Sequence, residues 1–216
     1  MSVLIEVDSL TKSFGPFIAV DDINFSLKRG EVLGFLGPNG AGKTTTMRMI
    51  TGFLFPTKGK ISVCGHDVSE NPIAIKEKIG YVPEGAPLYG EMTVMNFLRF
   101  IADIRKIPKN KVNDAIHSAI KKLGLELVLY QQIETLSKGY KRRVGLSQAI
   151  IHDPDVLILD EPTDGLDPNQ KHEVRKLIKE MSSTKAIIIS THILEEVDAV
   201  CTRAMIIANG KMIVDK

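Results

Sequence analysis

Residues 37–44 read Gly-Pro-Asn-Gly-Ala-Gly-Lys-Thr, and the predicted fold class follows from them. It fits the phosphate-loop pattern, in which glycines let the backbone turn its N–H groups inward around phosphate oxygens. An apolar segment at residues 32–36 comes before it, and a segment of helical character at residues 47–50 follows it. A strand, a glycine-rich loop and a helix in this order predict a phosphate site at the positive end of the helix dipole.

The side chains of this loop predict contacts with a nucleoside triphosphate. Lys43 supplies a mobile positive charge, so we predict it as both a binding and a catalytic residue, and the Thr44 hydroxyl is placed to coordinate Mg²⁺. The other predicted nucleotide-binding positions are Gly37, Pro38, Asn39, Gly40, Ala41, Gly42 and Thr45. The loop alone leaves kinases, GTPases and motor ATPases open, because all of them hold phosphates in this way.

Two carboxylates follow a run of four aliphatic residues further along the chain. Residues 156–161 read Val-Leu-Ile-Leu-Asp-Glu, and charged groups at the end of such a buried-type strand need a metal or a reaction. Asp160 is the natural Mg²⁺ ligand, and Glu161 is placed to polarise the water that attacks the γ-phosphate. The pair favours hydrolysis over binding alone, with a solvent-exposed acidic turn as the alternative interpretation.

His192 follows another aliphatic run, at residues 186–190. In a parallel sheet it would reach the same carboxyl-end edge as Asp160, which makes it a candidate catalytic residue that senses the γ-phosphate. A structural role is the alternative, because a lone histidine is more often structural. The remaining histidines are assigned to the structural class: His66, His117, His152 and His172.

Two kinds of periodicity divide the chain. Turn-bounded β-rich segments predict strands at residues 3–7, 18–27, 31–36, 60–63, 79–82, 156–159, 186–190 and 204–208, with Asn209-Gly210 as a tight hairpin turn. Between Pro83 and Pro154, apolar residues recur at helical spacing. We therefore expect a single domain over residues 1–216, with a helical subdomain inserted at about residues 84–153.

Composition and charge exclude several classes of protein. Hydrophobic residues make up 44% of the chain and charged residues 25%, as in soluble globular proteins. The 28 Lys and Arg residues against 26 Asp and Glu give a net charge of +2, so no nucleic-acid partner is expected. No apolar run approaches the ~20 residues that a membrane-spanning helix needs. Glu6 and Asp8 interrupt the segment where a signal peptide would be apolar, which predicts a cytoplasmic protein.

The order of the motifs resembles that of the nucleotide-binding domains of ABC transporters. Residues 136–140, Leu-Ser-Lys-Gly-Tyr, lie between the phosphate loop and the acidic strand, and residues 165–167, Gly-Leu-Asp, follow that strand. The resemblance implies an α/β fold: a P-loop NTPase core with a mixed sheet, an N-terminal antiparallel β part and an inserted helical subdomain. It also implies an ATPase that binds ATP and Mg²⁺.

In this family the segment after Leu136 contacts the γ-phosphate of ATP held by the opposite subunit. The resemblance therefore implies a head-to-tail dimer with a second copy of the chain or a homologous subunit, in which Ser137 and Gly139 contact the partner's nucleotide. Asp167 is carried over as a nucleotide-binding residue. Phe14 matches the aromatic position that stacks on adenine, although by itself it reads as a core residue.

Three residues depart from the family's usual pattern. Lys138 and Tyr140 stand where many members have Gly and Gln. Glu84 stands where a metal-contacting Gln is usual, so its carboxylate is a third candidate Mg²⁺ ligand beside Thr44 and Asp160.

The variants at residues 136–140 and at residues 81–84, Tyr-Val-Pro-Glu, are similar to those of stand-alone subunits from bacterial export systems. The resemblance implies an integral membrane permease as partner, a peripheral position on the inner face of the cell membrane, and export rather than uptake. A soluble ABC-type ATPase in translation or DNA repair is the alternative, although translation-type members carry two such domains and repair-type members carry long coiled coils. A phosphate-loop small-molecule kinase would not need residues 136–140.

Overall fold

The computed structural model describes residues 2–85 and 87–216, and its N-terminal part is an antiparallel sheet. The strands of this sheet are β1 (Val3–Phe14), β2 (Phe17–Lys28), β4 (Lys58–Val63) and β5 (His66–Asp67). Their order across the sheet is β2-β1-β4-β5. The predicted antiparallel β part is confirmed, but β1 extends well beyond the predicted residues 3–7, because its hairpin partner β2 pairs with it as far as the Phe14–Phe17 turn.

A second, six-stranded sheet carries the motifs. Its strands are β3 (Val32–Leu36), β6 (Ile79–Val82), β7 (Val156–Asp160), β8 (Ala186–Thr191), β9 (Arg203–Ala208) and β10 (Lys211–Asp215), in the order β10-β9-β3-β8-β7-β6. The strands from β9 to β6 are parallel, and β10 runs antiparallel to β9 through the predicted Asn209-Gly210 turn. The sheet is therefore mixed, as predicted.

The parallel register brings distant parts of the sequence to one edge of this sheet. Leu36 pairs with Thr191, and Asp160 pairs with Ser190. The phosphate loop, the acidic pair and His192 therefore leave the sheet at neighbouring positions on its carboxyl edge, where ligands bind in parallel α/β sheets.

Seven helices complete the described part of the chain. They are α1 (Lys43–Ile50), α2 (Pro72–Lys78), α3 (Val94–Ile104), α4 (Lys109–Leu123), α5 (Lys138–Ile150), α6 (Pro168–Ser182) and α7 (Leu194–Val200). Helices α3 to α5 all lie between β6 and β7 in sequence, which confirms the inserted helical part, while its bounds and the single-domain description stay predictions. Within residues 2–85 and 87–216, no helix has the length and apolar character to cross a membrane.

Two hydrophobic cores lie on the two faces of the six-stranded sheet. Side chains alternate along a strand, and in β7 Leu157 and Leu159 belong to the core built with helices α3 to α6. Val156 and Ile158 belong to the other core, which contains α1 and the antiparallel sheet. Because both faces are covered, β7 and β8 are buried along their whole length, which explains their uninterrupted aliphatic sequences.

Candidate active site

The phosphate loop joins β3 to α1 and packs against the hairpin between β9 and β10. The backbone N–H of Gly210 donates to the Ala41 carbonyl at 3.0 Å. A Cβ atom at Gly37 would stand 2.2 Å from the Ile207 carbonyl oxygen, so this close approach requires glycine. Gly42, directly before α1, has a φ of 106°, which side chains rarely allow. The predicted loop residues form one turn that continues into the first turn of α1: Gly37, Pro38, Asn39, Gly40, Ala41, Gly42, Lys43, Thr44 and Thr45.

The Lys43 side chain lies inside this turn. It is only 6% exposed, and its Nζ donates to the carbonyls of Gly37 at 2.7 Å and Pro38 at 3.2 Å. The same Nζ lies 4.0 Å from Glu161 Oε1. The loop therefore encloses a positive charge and directs it toward the end of β7, where a phosphate held by the loop would meet it.

Asp160 ends β7 as a buried carboxylate that is held by hydroxyl groups. Thr44 Oγ1 donates to Asp160 Oδ2 at 2.9 Å, and the Ser190 hydroxyl donates to Asp160 Oδ1. Asp160 is 1% exposed, and within residues 2–85 and 87–216 no Lys, Arg or His nitrogen lies within 4.0 Å of its two carboxylate oxygens. A buried carboxylate without a cationic partner is costly, so this position fits a metal cation.

The donor set fits Mg²⁺ better than a metal that proteins hold by themselves. In the described part of the chain, no group of three or more His, Cys, Asp and Glu side chains is arranged around a common metal position. Mg²⁺ is usually bound by one or two carboxylates, with water and substrate phosphates completing its shell. Thr44 and Asp160 supply protein ligands of this kind directly beside the phosphate loop.

Glu161 and His192 form a pair next to the same loop. Glu161 follows β7 in a left-handed backbone conformation, with a φ of 48°, and its backbone N–H donates to Ser190 Oγ at 3.0 Å. His192 Nδ1 lies 3.3 Å from Glu161 Oε1 and 3.2 Å from Oε2. Burial raises the pKa of Glu161, while the hydrogen bond and charge of His192 and the charge of Lys43 oppose that rise. A carboxylate of raised basicity therefore stands beside the phosphate loop, as proton acceptance from water requires.

Glu84 lies near this edge of the sheet but is exposed. It follows β6, which runs parallel to β7 with Val82 opposite Leu159, so both strands end at the same level. Glu84 is also close enough to Arg142 to influence the pKa of that guanidinium. The structure gives it no hydrogen bond within the described residues, and its contact with Mg²⁺ stays a prediction.

The residues carried over from the family's partner contact lie at the starts of helices α5 and α6. Ser137 is the exposed N-cap of α5, where its hydroxyl accepts from the Tyr140 N–H at 3.4 Å. Gly139 packs so tightly that a Cβ atom would stand 2.3 Å from the Gln170 side chain. Asp167 caps the next helix, α6, by accepting from the Gln170 N–H at 2.9 Å. These residues therefore form a second surface that contains the starts of α5 and α6.

Phe14 lies at the tip of the β1–β2 hairpin. Its side chain is 50% exposed, so the interpretation of Phe14 as a core residue is wrong. The end of the hairpin is open to solvent. Among the cation–π contacts of the described residues, one involves the Phe14 ring: Lys12 Nζ lies 5.2 Å from the ring centroid. The same hairpin reaches the phosphate loop, because Ala19 O lies 2.6 Å from the position of a Cβ atom at Gly42. Phe14 therefore presents an accessible ring on an element that contacts the loop.

Three residues of the site were not identified from the sequence. Ser190 holds Asp160, and Arg142 donates to the backbone carbonyls of residues 160–162. Glu196 accepts hydrogen bonds from the hydroxyls of Thr163 and Thr191, which lie next to the acidic pair and His192. The run Ser-Thr-His at residues 190–192 gave a usable signal, because hydroxyls directly after four aliphatic residues lie at the end of a buried strand. Arg142 and Glu196 gave none, since charged helical residues ordinarily face solvent.

The phosphate loop lies between a parallel strand and a helix, and Thr44 bonds it to the buried Asp160, which has Glu161 beside it. This arrangement defines the class of phosphate-loop nucleoside triphosphatases. Residues 20–164 match the family of ABC transporter proteins. The chain belongs to this family and is an ATP-binding, ATP-hydrolysing subunit of the transporter type that uses ATP with Mg²⁺.

Individual relatives agree with this assignment. The bacitracin transport ATP-binding protein BcrA of Bacillus licheniformis is 38% identical over 215 residues, which cover 99% of this chain and 69% of the relative. The Nod factor export ATP-binding protein I of Ralstonia nicotianae is 34% identical over 211 residues, which cover 97% of this chain and 66% of the relative. A solved structure of an ATP-binding subunit of an ABC transporter superposes with a TM-score of 0.91 at 30% identity, covering 99% of this chain and 89% of that one. The predicted fold, family and ATPase activity are therefore confirmed.

Proposed function

We propose that two such subunits close head to tail around ATP and power export through a separate integral membrane permease, with Glu161 as the general base of hydrolysis. The observation that carries the proposal is the bond from Thr44 to Asp160, which fixes the phosphate loop to the strand that directly precedes Glu161. A loop that holds phosphates and a carboxylate that accepts a proton are thereby kept in a fixed relation, as in-line attack of water requires.

The first step is the binding of ATP at the phosphate loop. Backbone N–H groups of the phosphate loop and the Lys43 ammonium bind the β- and γ-phosphates, and Thr44 and Asp160 would hold Mg²⁺. When bound, Mg²⁺ neutralises charge between the β- and γ-phosphates. Lys43 exchanges its bonds to the Gly37 and Pro38 carbonyls for phosphate oxygens, so that its charge opposes the charge that develops on the γ-phosphate.

The second step is the activation of water. Glu161 accepts a proton from the attacking water, for which its raised pKa is favourable. His192 orients that carboxylate from Nδ1, and its exposed ring reaches toward the γ-phosphate. These assignments rest on the distances among Lys43, Glu161 and His192 and on the resemblance, which gives the same residues the same roles.

The dimer follows from the second surface. Ser137 and Gly139 lie at the N-terminal end of α5, where unpaired backbone N–H groups and the helix dipole attract phosphate. The hydrogen bonds of Ser137 and Asp167 stay within their own helices, α5 and α6, and the exposed Ser137 would be available to the nucleotide of another subunit, a second copy or a homologue. Asp167 completes the nucleotide contact beside it, and Phe14 stacks on adenine from the β1–β2 hairpin.

The membrane partner requires a contact surface near the nucleotide site. Leu127 and Tyr130 are 84% and 82% exposed, in a segment that bonds to the start of α3 through Leu129 O and Met95 N at 2.9 Å. Tyr89 is 56% exposed, and its ring packs on Phe100 of the same helix at 5.4 Å. Exposed apolar side chains grouped against one helix, here α3, favour a protein interface. Glu84 lies five residues before Tyr89 in the sequence, so a nucleotide-dependent change at Glu84 would be passed to this surface.

Export is proposed from the sequence variants and the relatives together. Residues 81–84 and 136–140 are similar to those of stand-alone export subunits, and the Ralstonia nicotianae relative is itself named for Nod factor export. With a membrane partner, the chain would lie on the inner face of the cell membrane.

The proposed chemistry is tested with the purified chain. Glu161→Gln keeps the shape of the side chain but removes the base, so kcat for ATP hydrolysis should fall by at least about 100-fold while ATP affinity is retained. Glu180→Gln, an exposed carboxylate on α6, is the matched control and should leave kcat unchanged. Wild-type turnover in Glu161→Gln would remove Glu161 from its proposed role.

The proposed partner is tested by affinity purification of the tagged chain from detergent-solubilised membranes of its host, followed by mass spectrometry. The wild-type chain should recover one multi-spanning membrane protein, and a Leu127→Glu, Tyr130→Glu variant should lose it. Ile213→Glu, a 61% exposed position on β10, is the control and should keep it. Recovery of ribosomal or DNA-repair proteins in place of a membrane protein would favour the soluble ABC-type ATPase.

A further inference from the structure

Arg142 is the α5 residue that binds the turn of Glu161. Its Nε donates to the Pro162 carbonyl at 3.0 Å, and its Nη2 donates to the Asp160 carbonyl at 2.8 Å and to the Glu161 carbonyl. One guanidinium therefore binds three consecutive backbone carbonyls of the segment that carries the metal ligand and the base. The planar guanidinium holds several donors in a fixed geometry, which suits it to fixing a backbone turn.

The turn that Arg142 binds needs external support. Glu161 has a φ of 48°, a left-handed conformation that is unfavourable for a residue with a side chain. Such a conformation persists where surrounding contacts impose it. The Glu161 N–H donates to Ser190, and the Glu161 carbonyl accepts from Arg142. Contacts on both sides of the residue therefore hold its backbone in this conformation.

The charge of Arg142 serves this backbone contact. Within residues 2–85 and 87–216, no carboxylate oxygen lies within 4.0 Å of its guanidinium. Burial lowers the pKa of Arg142, while the more distant charges of Asp164, Asp160, Glu161 and Glu84 oppose that change, and an arginine stays protonated in either case. Hydrogen bonds from a charged donor are roughly twice as strong as neutral ones.

We propose that Arg142 is a positioning residue that fixes the Glu161 turn for hydrolysis and attaches it to helix α5. The inference rests on the proposed role of Glu161 and extends it. Ser137 caps the same helix five residues earlier, on the surface proposed to meet the partner's nucleotide. Through Arg142, the helix that contacts one nucleotide holds the base that acts on the other.

The test compares Arg142→Gln and Arg142→Lys with a matched control. Lys141→Gln is that control, because Lys141 is the neighbouring α5 cation and also donates to a backbone carbonyl, that of Glu134, at 2.7 Å. Arg142→Gln should lower kcat by about 10- to 100-fold with KM within about threefold of wild type, since displacing a catalytic group by about 1 Å costs this much. Arg142→Lys should fall between Arg142→Gln and wild type, and Lys141→Gln should match wild type.

A merely structural role predicts other results. It would lower the thermal midpoint and raise KM together, whereas a positioning role leaves ATP affinity and the ATP-dependent dimer intact. On size-exclusion chromatography with ATP and Mg²⁺, Arg142→Gln should accumulate the dimer as Glu161→Gln does. Wild-type kcat in Arg142→Gln, or a loss of ATP affinity equal to the loss of kcat, would overturn the inference.

A double-mutant cycle separates this inference from the proposed function. If Arg142 acts through Glu161, Arg142→Gln should change the residual rate of Glu161→Gln by less than about threefold, because residues that act as a unit are non-additive. A full multiplicative loss in the double variant would overturn the inference while leaving Glu161 as the base. If Glu161→Gln hydrolyses ATP at the wild-type rate, the proposed function fails first, and that result is visible without any Arg142 variant.

Discussion

Acidification should destabilise this protein through His152, which follows α5. His152 Nε2 lies 3.2 Å from the Ile79 carbonyl at the start of β6, and its Nδ1 is buried without a partner among the described residues. Burial and the positive charge of Arg105 lower the pKa of His152 from 6.5 to about 4, although the hydrogen bond to the Ile79 carbonyl opposes this change. The folded protein therefore holds a neutral imidazole over the range in which the unfolded chain takes up a proton.

The sign and size of the effect follow from these two pKa values. Because the folded pKa is depressed, the contribution is fully present above pH 6.5 and is lost as pH falls from 6.5 toward about 4. At about pH 5 the unfolded histidine is almost fully protonated and the folded one is not, which removes about 2 kcal/mol from the free energy of unfolding. Below pH 4 the loss approaches its limit of about 3 kcal/mol.

The assay is urea denaturation of wild type and His152→Gln at several values from about pH 7.5 to about pH 5. Glutamine can keep a donor toward the Ile79 carbonyl but does not titrate in this range, so the stability difference between the two proteins should shift by about 2 kcal/mol in favour of the variant on acidification. His117→Gln, at an exposed position of α4, is the control for removing a histidine. If the difference in the free energy of unfolding between wild type and His152→Gln does not change with pH, His152 is not the group that destabilises the folded protein in acid.

Three further predictions concern the loop, the carboxylate behind the site and the hairpin. Gly37→Ala should lower the free energy of unfolding by about 1–3 kcal/mol and weaken ATP binding, because the added methyl group stands 2.2 Å from the Ile207 carbonyl oxygen; urea denaturation and ATP titration measure both. Glu196→Gln should lower the free energy of unfolding measured by urea denaturation by about 2 kcal/mol. Burial disfavours the charged Glu196 carboxylate, but hydrogen bonds led by that of Thr163 hold its pKa below the ordinary value. An unchanged denaturation midpoint would contradict that balance. Phe14→Ala should raise KM for ATP a few-fold at constant thermal midpoint, because the ring is half exposed; an unchanged KM for ATP in this variant would argue against base stacking on Phe14.

The parts of the fold that follow local rules could be predicted from the sequence. The phosphate loop needs glycines at fixed places, and Gly42 has the positive φ that the pattern implies. The aliphatic runs before Asp160 and His192 predicted β7 and β8 closely, because strands buried on both faces carry no polar interruptions. The Asn209-Gly210 turn was equally clear, since both residues take the positive φ that a tight hairpin requires.

Contacts between distant segments could not be predicted in the same way. The bond from Thr44 to Asp160 joins residues 116 positions apart, and only the parallel register of the sheet creates it. Arg142 lies on a helix of otherwise ordinary pattern, and its direction toward residues 160–162 depends on how α5 packs. Phe14 was predicted to bind nucleotide only through the family resemblance, because an aromatic residue taken by itself indicates a core position. A ring at the tip of a hairpin has no second layer to cover it.

The backbone at residue 161 places protein stability and enzyme activity in opposition. A φ of 48° is adopted without cost by glycine and most readily by asparagine among residues with side chains, yet the proposed chemistry needs a glutamate. Selection for thermal stability alone would thus discard the carboxylate, whereas selection for turnover retains it against roughly 1 kcal/mol of conformational strain. The residue at this one position therefore indicates which of the two kinds of selection has acted on a chain of this fold. A glycine or asparagine there would indicate a domain that binds nucleotide but no longer depends on hydrolysing it.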